Sequence, residues 1–109
     1  MANIKLLDPF KDELRATLRY SLNEFGTTTV LRFNQELDNI QKRLKIHPLS
    51  SPKEPLLKKF LRPYRSTIIR KNWKIIYRYD EQNDRVIFID LWDMRRHPKT
   101  LLRQFKRKL

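Results

Sequence analysis

The chain has 109 residues, of which 25 are Lys or Arg and 12 are Asp or Glu, so its formal net charge is +13. This length fits one modest hydrophobic core, and we expect a single domain over residues 1–109. Hydrophobic residues make up 39% of the chain, which argues against disorder, and the absence of cysteine excludes disulfide frameworks, thiolate zinc sites and cysteine nucleophiles.

A first strand and a first helix are predicted at the start of the chain. Ile4 and Leu6 indicate a short strand, after which Asp8 and Pro9 resemble a helix start, with the aspartate as its cap. A helix over residues 9–25 then follows, ending at Gly26. Its apolar stripe consists of Phe10, Leu14, Leu18, Leu22 and Phe25.

A second helix is predicted after the glycine, with the threonines at 27–29 as its cap. It stops before His47 and Pro48, because the residue ahead of a proline is disfavoured in helical conformation. Its apolar stripe consists of Val30, Phe33, Leu37, Ile40 and Leu44. Such a stripe forms either a partner-binding seam or a helical hairpin packed on a sheet. We expect the hairpin, because a sheet follows in the sequence.

The second half of the chain predicts strands. Prolines punctuate residues 47–63, a connector with one short turn at 56–60. Apolar and aromatic runs at 64–70, 73–79 and 85–92 are separated by short polar breaks and predict an antiparallel meander. In the last run, Ile87, Ile89 and Leu91 are expected on one face and Val86, Phe88 and Trp92 on the other. A final basic helix is predicted over residues 100–109.

These elements predict an α+β fold. A two-helix antiparallel hairpin packs on a mostly antiparallel sheet, which consists of the short N-terminal strand and the three-strand meander.

Ordinary hydrolase and metal chemistry have no support in the sequence. His47 and His97 lie fifty residues apart with no cysteine to complete a ligand set, and neither a phosphate-binding glycine loop nor a serine elbow is present. We therefore expect no metal and no cofactor. No run of about 18 apolar residues is present, so no membrane segment is expected. The lack of cysteine fits a reducing cytoplasm.

Positive charge is concentrated where the strands are predicted. Residues 62–109 hold 14 basic and 5 acidic side chains, a net +9, against 11 and 7, a net +4, in residues 1–61. Such a field attracts nucleic acid or an acidic protein.

Several cations fall on or just beyond adjacent strands of the meander, and we expect a few of them to converge on one concave face. They are Arg65, Lys74, Arg78, Arg95, Arg96 and His97. Cations gathered in this way bind successive phosphates or stabilise a phosphoryl transition state. Four aromatic residues interleave with them and offer faces for base stacking: Tyr64, Trp73, Tyr77 and Tyr79. Alternatively, these aromatics belong to the core and the cations form a solvated surface.

The order of these elements and several local motifs resemble the RelE/ParE superfamily of bacterial toxins from type II toxin–antitoxin modules. The motifs are Glu24-Phe25-Gly26, Tyr64-Arg65, the run from Trp73 to Asp80, and residues 86–98, which end in Trp92-Asp93-Met94-Arg95-Arg96-His97-Pro98. The resemblance covers essentially the whole chain.

One branch of the superfamily, typified by RelE, consists of ribosome-dependent endoribonucleases that cut messenger RNA. By position, the resemblance implies Arg65, Lys74 and Arg95 as catalytic residues. Thr67 stands where a further lysine is expected, and Leu101 stands where a C-terminal tyrosine is expected. His97 is the candidate to replace that tyrosine as acid or base, since its ordinary pKa lies near neutrality.

The other branch, typified by ParE, shares the fold and inhibits DNA gyrase. The long helical hairpin and the ending at residues 93–98 look closer to this branch, which implies Arg78, Arg95, Arg96 and Lys99 as residues that bind the target. We therefore favour a ParE-like growth inhibitor acting on gyrase. Messenger cleavage on the ribosome is the close alternative, and a non-toxic basic module that binds nucleic acid is the third.

The resemblance also implies a cognate antitoxin and a toxin–antitoxin hetero-oligomer. We expect the antitoxin to be acidic and partly disordered. The basic sheet is expected to leave apolar surface that two helices cannot cover, and the antitoxin is expected to fold over it.

Overall fold

The computed structural model describes residues 1–108, which form three layers. The elements in chain order are β1 (Asn3–Leu6), α1 (Asp8–Phe25), α2 (Thr27–Ile46), a 3₁₀ turn (Pro55–Leu57), β2 (Arg65–Ile69), β3 (Trp73–Asp80), β4 (Arg85–Asp93) and α3 (Pro98–Lys108). Helices α1 and α2 pack on one face of a four-stranded sheet, and α3 packs on the other. The predicted α+β class and helical hairpin are confirmed.

The sheet has the strand order β1-β4-β3-β2. Strands β2, β3 and β4 form the predicted antiparallel meander, and β1 adds to β4 in parallel. Strand β4 lies between β1 and β3 and is buried over residues 86–92. Because two of the three strand pairings are antiparallel, the predicted mostly antiparallel sheet is also confirmed.

The core between the helical hairpin and the sheet contains the stripe predicted on α2. Phe33, Leu37, Ile40 and Leu44 are buried there, and the Phe33 ring meets the Trp73 ring edge-on with the centroids 5.8 Å apart. The stripe is thus a packing surface for the sheet rather than a seam for a partner.

The stripe predicted on α1 is buried only in its first half. Phe10 is fully buried and Leu14 and Leu18 pack against the core, but Leu22 and Phe25 are 48% and 56% exposed. Helical periodicity brings Ser21 onto the buried face instead. The end of α1 therefore extends past the sheet.

Both helix starts differ from the predicted caps. Leu7, not Asp8, is the N-cap of α1, and Asp8 lies in the first turn. Gly26 alone joins the two helices, so Thr27 is already the first residue of α2 and no threonine caps it. Gly26 has a φ of 88° and donates its N–H to the carbonyl of Leu22 at 3.0 Å. Glycine adopts this conformation at little cost.

A bulge in β4 reverses the predicted faces of two residues. Ile76 pairs with Asp90 and Tyr77 pairs with Phe88, so Ile89 has no partner across the strand. The extra residue shifts the alternation, and Leu91 lies in the core beneath the helical hairpin while Trp92 lies beneath α3. The faces predicted for these two residues were wrong for that reason.

The second face of the sheet is covered by the chain itself. Leu57 of the 3₁₀ turn and Leu101 and Phe105 of α3 are buried against it, and the Phe105 ring lies 5.2 Å from that of Tyr64. The helix α3 begins two residues before the predicted start, and Leu109 lies outside the described residues. The sheet does carry more apolar surface than the two helices of the hairpin cover, but the 3₁₀ turn and α3 cover most of the remainder, and Ile68 of β2 stays 56% exposed.

Candidate target-binding site

The sheet separates the cations that were expected to converge. Arg65 pairs with Tyr77 across β2 and β3, on the side of the helical hairpin, whereas Lys74 pairs with Trp92, on the side of α3. Directly paired residues share a face of the sheet. Arg65 and Lys74 therefore point to opposite faces and do not form one site.

Lys74 is part of a buried ion pair. Its Nζ lies 2.6 Å from Oε1 of Glu54, a side chain that is 1% exposed. Glu54 also accepts hydrogen bonds from the Ser66 hydroxyl at 2.9 Å and from the backbone N–H of Leu56 at 2.8 Å. The charge of Lys74 is thus balanced within the fold. Arg65 is likewise engaged, since its Nη1 donates to the carbonyl of Ser51 at 2.8 Å.

The aromatic residues expected to stack on bases belong mostly to the core. Tyr64 and Trp73 are each 6% exposed and Tyr77 is fully buried, while Tyr79 is half-buried. The alternative that these rings are core residues is confirmed for the first three.

Arg95 lies at the end of β4 in a fixed position. Its guanidinium donates to both carboxylate oxygens of Asp93, at 2.9 and 3.0 Å, and lies 5.7 Å and 5.3 Å from the ring centroids of Tyr20 and Trp73. Partial burial disfavours the charged form of Asp93, but hydrogen bonds from Arg95 outweigh that effect and lower the pKa of the carboxyl. The same hydrogen bonds raise the pKa of Arg95.

The residues after Arg95 join the strand to α3. His97 caps this helix, because its Nδ1 accepts from the N–H of Lys99 at 3.1 Å and its carbonyl accepts from two further N–H groups. Arg96 and Lys99 are exposed, and Nη1 of Arg96 donates to Oε1 of Gln104 at 3.1 Å. Arg78 lies five residues along β3 from Trp73, whose ring contacts Arg95, and it does not line the cleft that holds Arg95 and Arg96.

A cleft of about 330 Å³ lies between α1, the end of β4 and α3, and we call it the Arg95–Arg96 cleft. The two arginines line it together with Asp93, Tyr20, Trp73 and Gln104. Asp90 and Lys108 lie in its wall. Asp90 is 1% exposed, and its carboxylate accepts from Nζ of Lys108 at 2.7 Å and from Nε1 of Trp92 at 3.0 Å. Burial raises the pKa of Asp90. This pair fastens the end of α3 to the sheet.

Sequence reasoning missed the residues that position the two arginines. Asp93 holds Arg95 in an Asp-x-Arg turn, in which the N–H of Arg95 donates to the Asp93 carboxylate at 3.0 Å. Aspartate favours such turns, so this two-residue spacing was a signal available in the sequence. Tyr20 and Gln104 carry no such signal, since their helices show only which face is apolar.

The positions that depart from the nuclease pattern have structural roles. The hydroxyl of Thr67 accepts a hydrogen bond from Nη2 of Arg43 at 2.8 Å, and Leu101 is 5% exposed in the core beneath α3. Within residues 1–108, no group of three or more His, Asp or Glu side chains is arranged to hold a metal ion. No helix in this part of the chain has the length and apolarity needed to cross a bilayer.

The fold is shared with solved toxin structures. The chain is 12% identical to a protein of the chromosomal ParDE toxin–antitoxin system from P. aeruginosa, with a TM-score of 0.65 over 85% of this chain and 96% of that one. It is 17% identical to a metal-bound toxin from Helicobacter pylori, with a TM-score of 0.62 over 85% of this chain and 94% of that one. No curated protein is significantly similar in sequence.

Residues 4–98 match the family described as the ParE toxin of type II toxin–antitoxin system, parDE. This range includes the helical hairpin, all of the sheet except Asn3, and the arginines that follow β4. The predicted superfamily is thereby confirmed and an antitoxin partner is implied. The chain belongs to the ParE family of toxins from type II toxin–antitoxin systems.

Proposed function

We propose that this toxin arrests bacterial growth by binding and inhibiting DNA gyrase, and that an acidic antitoxin restrains it in a cytoplasmic hetero-oligomer. Membership of the ParE family supports the toxin and the antitoxin. The gyrase target rests on the resemblance to the ParE branch and on the surface that the fold presents beside the Arg95–Arg96 cleft.

The observation that carries the proposal is the fixed position of Arg95 next to the exposed Arg96. Asp93 and two aromatic rings hold the Arg95 guanidinium, so little side-chain freedom is lost when it meets a target. Arginine, tyrosine and tryptophan are the residues that most often dominate binding energy at protein interfaces. Arg96 and Lys99 extend the same positive surface, and Arg78 is a separate candidate contact.

Messenger cleavage has less support. Lys74 is neutralised by Glu54, Leu101 is a core residue, and Nδ1 of His97 accepts a hydrogen bond in the cap of α3. A nuclease of this kind needs several cations and a proton-transfer group around one phosphodiester. A non-toxic module that binds nucleic acid has only the net charge in its favour.

Replacing Arg96 with alanine is expected to relieve growth arrest without loss of fold. The Arg96 side chain is exposed, and its one hydrogen bond within residues 1–108 is to Gln104, so the free energy of unfolding should change by about 0.5 kcal/mol or less. Replacing Arg95 should cost more, about 1 kcal/mol, because its ion pair and its ring contacts are lost, although its side chain is 45% exposed. Growth after induction without the antitoxin, and urea denaturation, measure the two effects.

Arg32 provides a matched control, since it is an exposed arginine on α2, away from the Arg95–Arg96 cleft. Arg32→Ala should remain fully toxic. Full toxicity of a folded Arg96→Ala protein, or equal relief by Arg32→Ala, would remove Arg96 from the target-binding surface.

A further inference from the structure

A second cationic cleft, of about 460 Å³, lies at the outer edge of β2 and shares no lining residue with the Arg95–Arg96 cleft. The C-terminal end of α2, the loop at 50–55 and strands β2 and β3 form its walls. Three basic residues line it, Arg43, Lys53 and Lys74, and no carboxylate does. The ion pair with Glu54 balances the charge of Lys74, so Arg43 and Lys53 are the lining residues whose positive charge is not balanced in this way.

Neutral hydroxyl groups hold the guanidinium of Arg43. Its Nη2 donates to Oγ1 of Thr67 at 2.8 Å and its Nη1 donates to Oγ of Ser50 at 3.3 Å. Within the described part of the chain, Arg43 has no ion pair with a carboxylate. Arginine has five N–H donors, and a hydroxyl that accepts a hydrogen bond still has its own proton to donate. The group therefore offers both positive charge and several unused donors.

The loop that carries the cleft is fastened to β2. The N–H of Ser66 donates to the carbonyl of Pro52 at 3.1 Å, and Lys53 pairs with Arg65 in an antiparallel bridge. Ser51 also lines the cleft, is 3% exposed, and its Oγ has no hydrogen-bond partner among the described residues. This hydroxyl is enclosed in the wall of the cleft, so Ser51 helps to shape the loop while Arg43 and Lys53 supply the accessible donors.

We propose that this cleft, the Arg43 cleft, binds a phosphate group. The donors are a guanidinium, an ammonium and hydroxyls on both sides of the guanidinium. A tetrahedral phosphate offers oxygens in several directions to such a set, whereas a carboxylate offers two oxygens in one plane. No carboxylate lines the cleft, and the Glu54 carboxylate behind it is balanced by Lys74, so the charges of Arg43 and Lys53 determine the attraction for an anion.

Titration with inorganic phosphate, at ionic strength held constant with chloride, tests the proposal by calorimetry and by amide chemical shifts. We expect saturable binding at one site, with shifts confined to residues around Arg43, Ser50 and Thr67. Arg43→Gln should weaken binding by about tenfold or more, since it removes a charge-assisted donor. Thr67→Val keeps the net charge and should weaken binding by several-fold. This result would distinguish a specific site from non-specific attraction of phosphate to a positively charged protein.

Lys42→Gln is the matched control, because Lys42 is the next residue on α2, is 70% exposed and pairs with Asp38. It removes the same charge and should leave binding within about twofold, because the Lys42 ammonium group is exposed, screened by solvent and outside the lining of the cleft. Equal weakening by Lys42→Gln and Arg43→Gln, shifts spread over the whole surface, or acetate binding as tightly as phosphate would overturn the proposal.

The source of the phosphate is distinguished with two methylated probes. Methyl phosphate represents the terminal phosphate of a small molecule, and dimethyl phosphate represents the diester of a nucleic-acid backbone. Tighter binding of the monoester supports a small phosphorylated ligand. Equal binding of the diester supports a backbone phosphate, and failure of both esters while inorganic phosphate binds would contradict a site for phosphorylated ligands.

Discussion

Replacing Lys108 with methionine will lower the free energy of unfolding by about 3 kcal/mol at neutral pH, because it leaves a buried carboxylate without its counter-charge. Asp90 is 1% exposed and lies 2.7 Å from the Lys108 ammonium group. Two neutral donors remain, the N–H of Leu91 at 2.9 Å and Nε1 of Trp92 at 3.0 Å. These hydrogen bonds keep the loss near the lower end of the range for a broken buried ion pair.

The loss should shrink as the pH falls. Burial raises the pKa of Asp90 above its ordinary 3.8, and Lys108 opposes that rise. A raised folded-state pKa means that the folded protein binds more protons than the unfolded chain, so this carboxyl's contribution to stability improves as the pH falls through the folded-state pKa towards 3.8. Methionine removes the ammonium group that opposes this rise. The pH range over which protonation of Asp90 stabilises the folded protein therefore becomes wider in the variant. Urea denaturation of both proteins across the acidic range measures the difference.

Lys106→Met is the control for this experiment, since Lys106 is exposed on the same helix. It should change stability by about 0.5 kcal/mol or less at every pH. Adding Asp90→Asn to Lys108→Met should restore most of the loss, because no buried charge then remains. A loss that is independent of pH, or equal to that of Lys106→Met, would show that Asp90 and Lys108 do not form a buried pair.

Replacing Lys74 with methionine should cost about 3 kcal/mol, for the same physical reason at a second buried ion pair on the α3 face of the sheet. Glu54 is 1% exposed and would keep only the Ser66 hydroxyl and the N–H of Leu56 as donors. The double variant Glu54→Gln, Lys74→Met should recover a large part of the loss, with a coupling of about 1–3 kcal/mol in a double-mutant cycle. Chemical denaturation of the four proteins of the cycle provides these values.

Lys53 is the matched control, because it is an exposed lysine on the segment next to Glu54. Lys53→Met should change stability by about 0.5 kcal/mol or less. If Lys74→Met proves as stable as Lys53→Met, Lys74 is free for another role and the nuclease hypothesis regains one of its cations. Any loss of toxicity in Lys74 variants therefore has to be compared with their loss of stability.

The sequence predicted the order of the elements well because local periodicity encodes it. Apolar residues at spacings of three and four define α1 and α2, and β-branched and aromatic runs define the three strands of the meander. The same local rules failed at one bulge, because an inserted residue reverses the alternation of β4 after Ile89 without any mark in the composition. These local rules also did not predict where α3 packs, because the periodicity of a helix shows which of its faces is apolar but not which surface that face covers.

The candidate site was less predictable, because its contacts join residues that lie far apart in the chain. Lys74 meets Glu54 twenty residues away and Lys108 meets Asp90 eighteen residues away. The face on which each cation points depends on strand register, and register is set by packing rather than by any one residue. Residues 95–97 lie together in the turn between β4 and α3 because they are neighbours in the sequence, but only Arg95 and Arg96 line the cleft.

The supercoiling activity of purified DNA gyrase, measured with and without the purified toxin, tests the central claim most directly. Messenger 5′ ends should be mapped in parallel, within minutes of inducing the toxin in cells. We predict that the toxin inhibits supercoiling, that Arg96→Ala relieves the inhibition, and that messengers remain intact. Rapid cleavage of messengers at codon-phased positions, together with unchanged supercoiling, would contradict gyrase as the target and identify the protein as a ribosome-dependent nuclease.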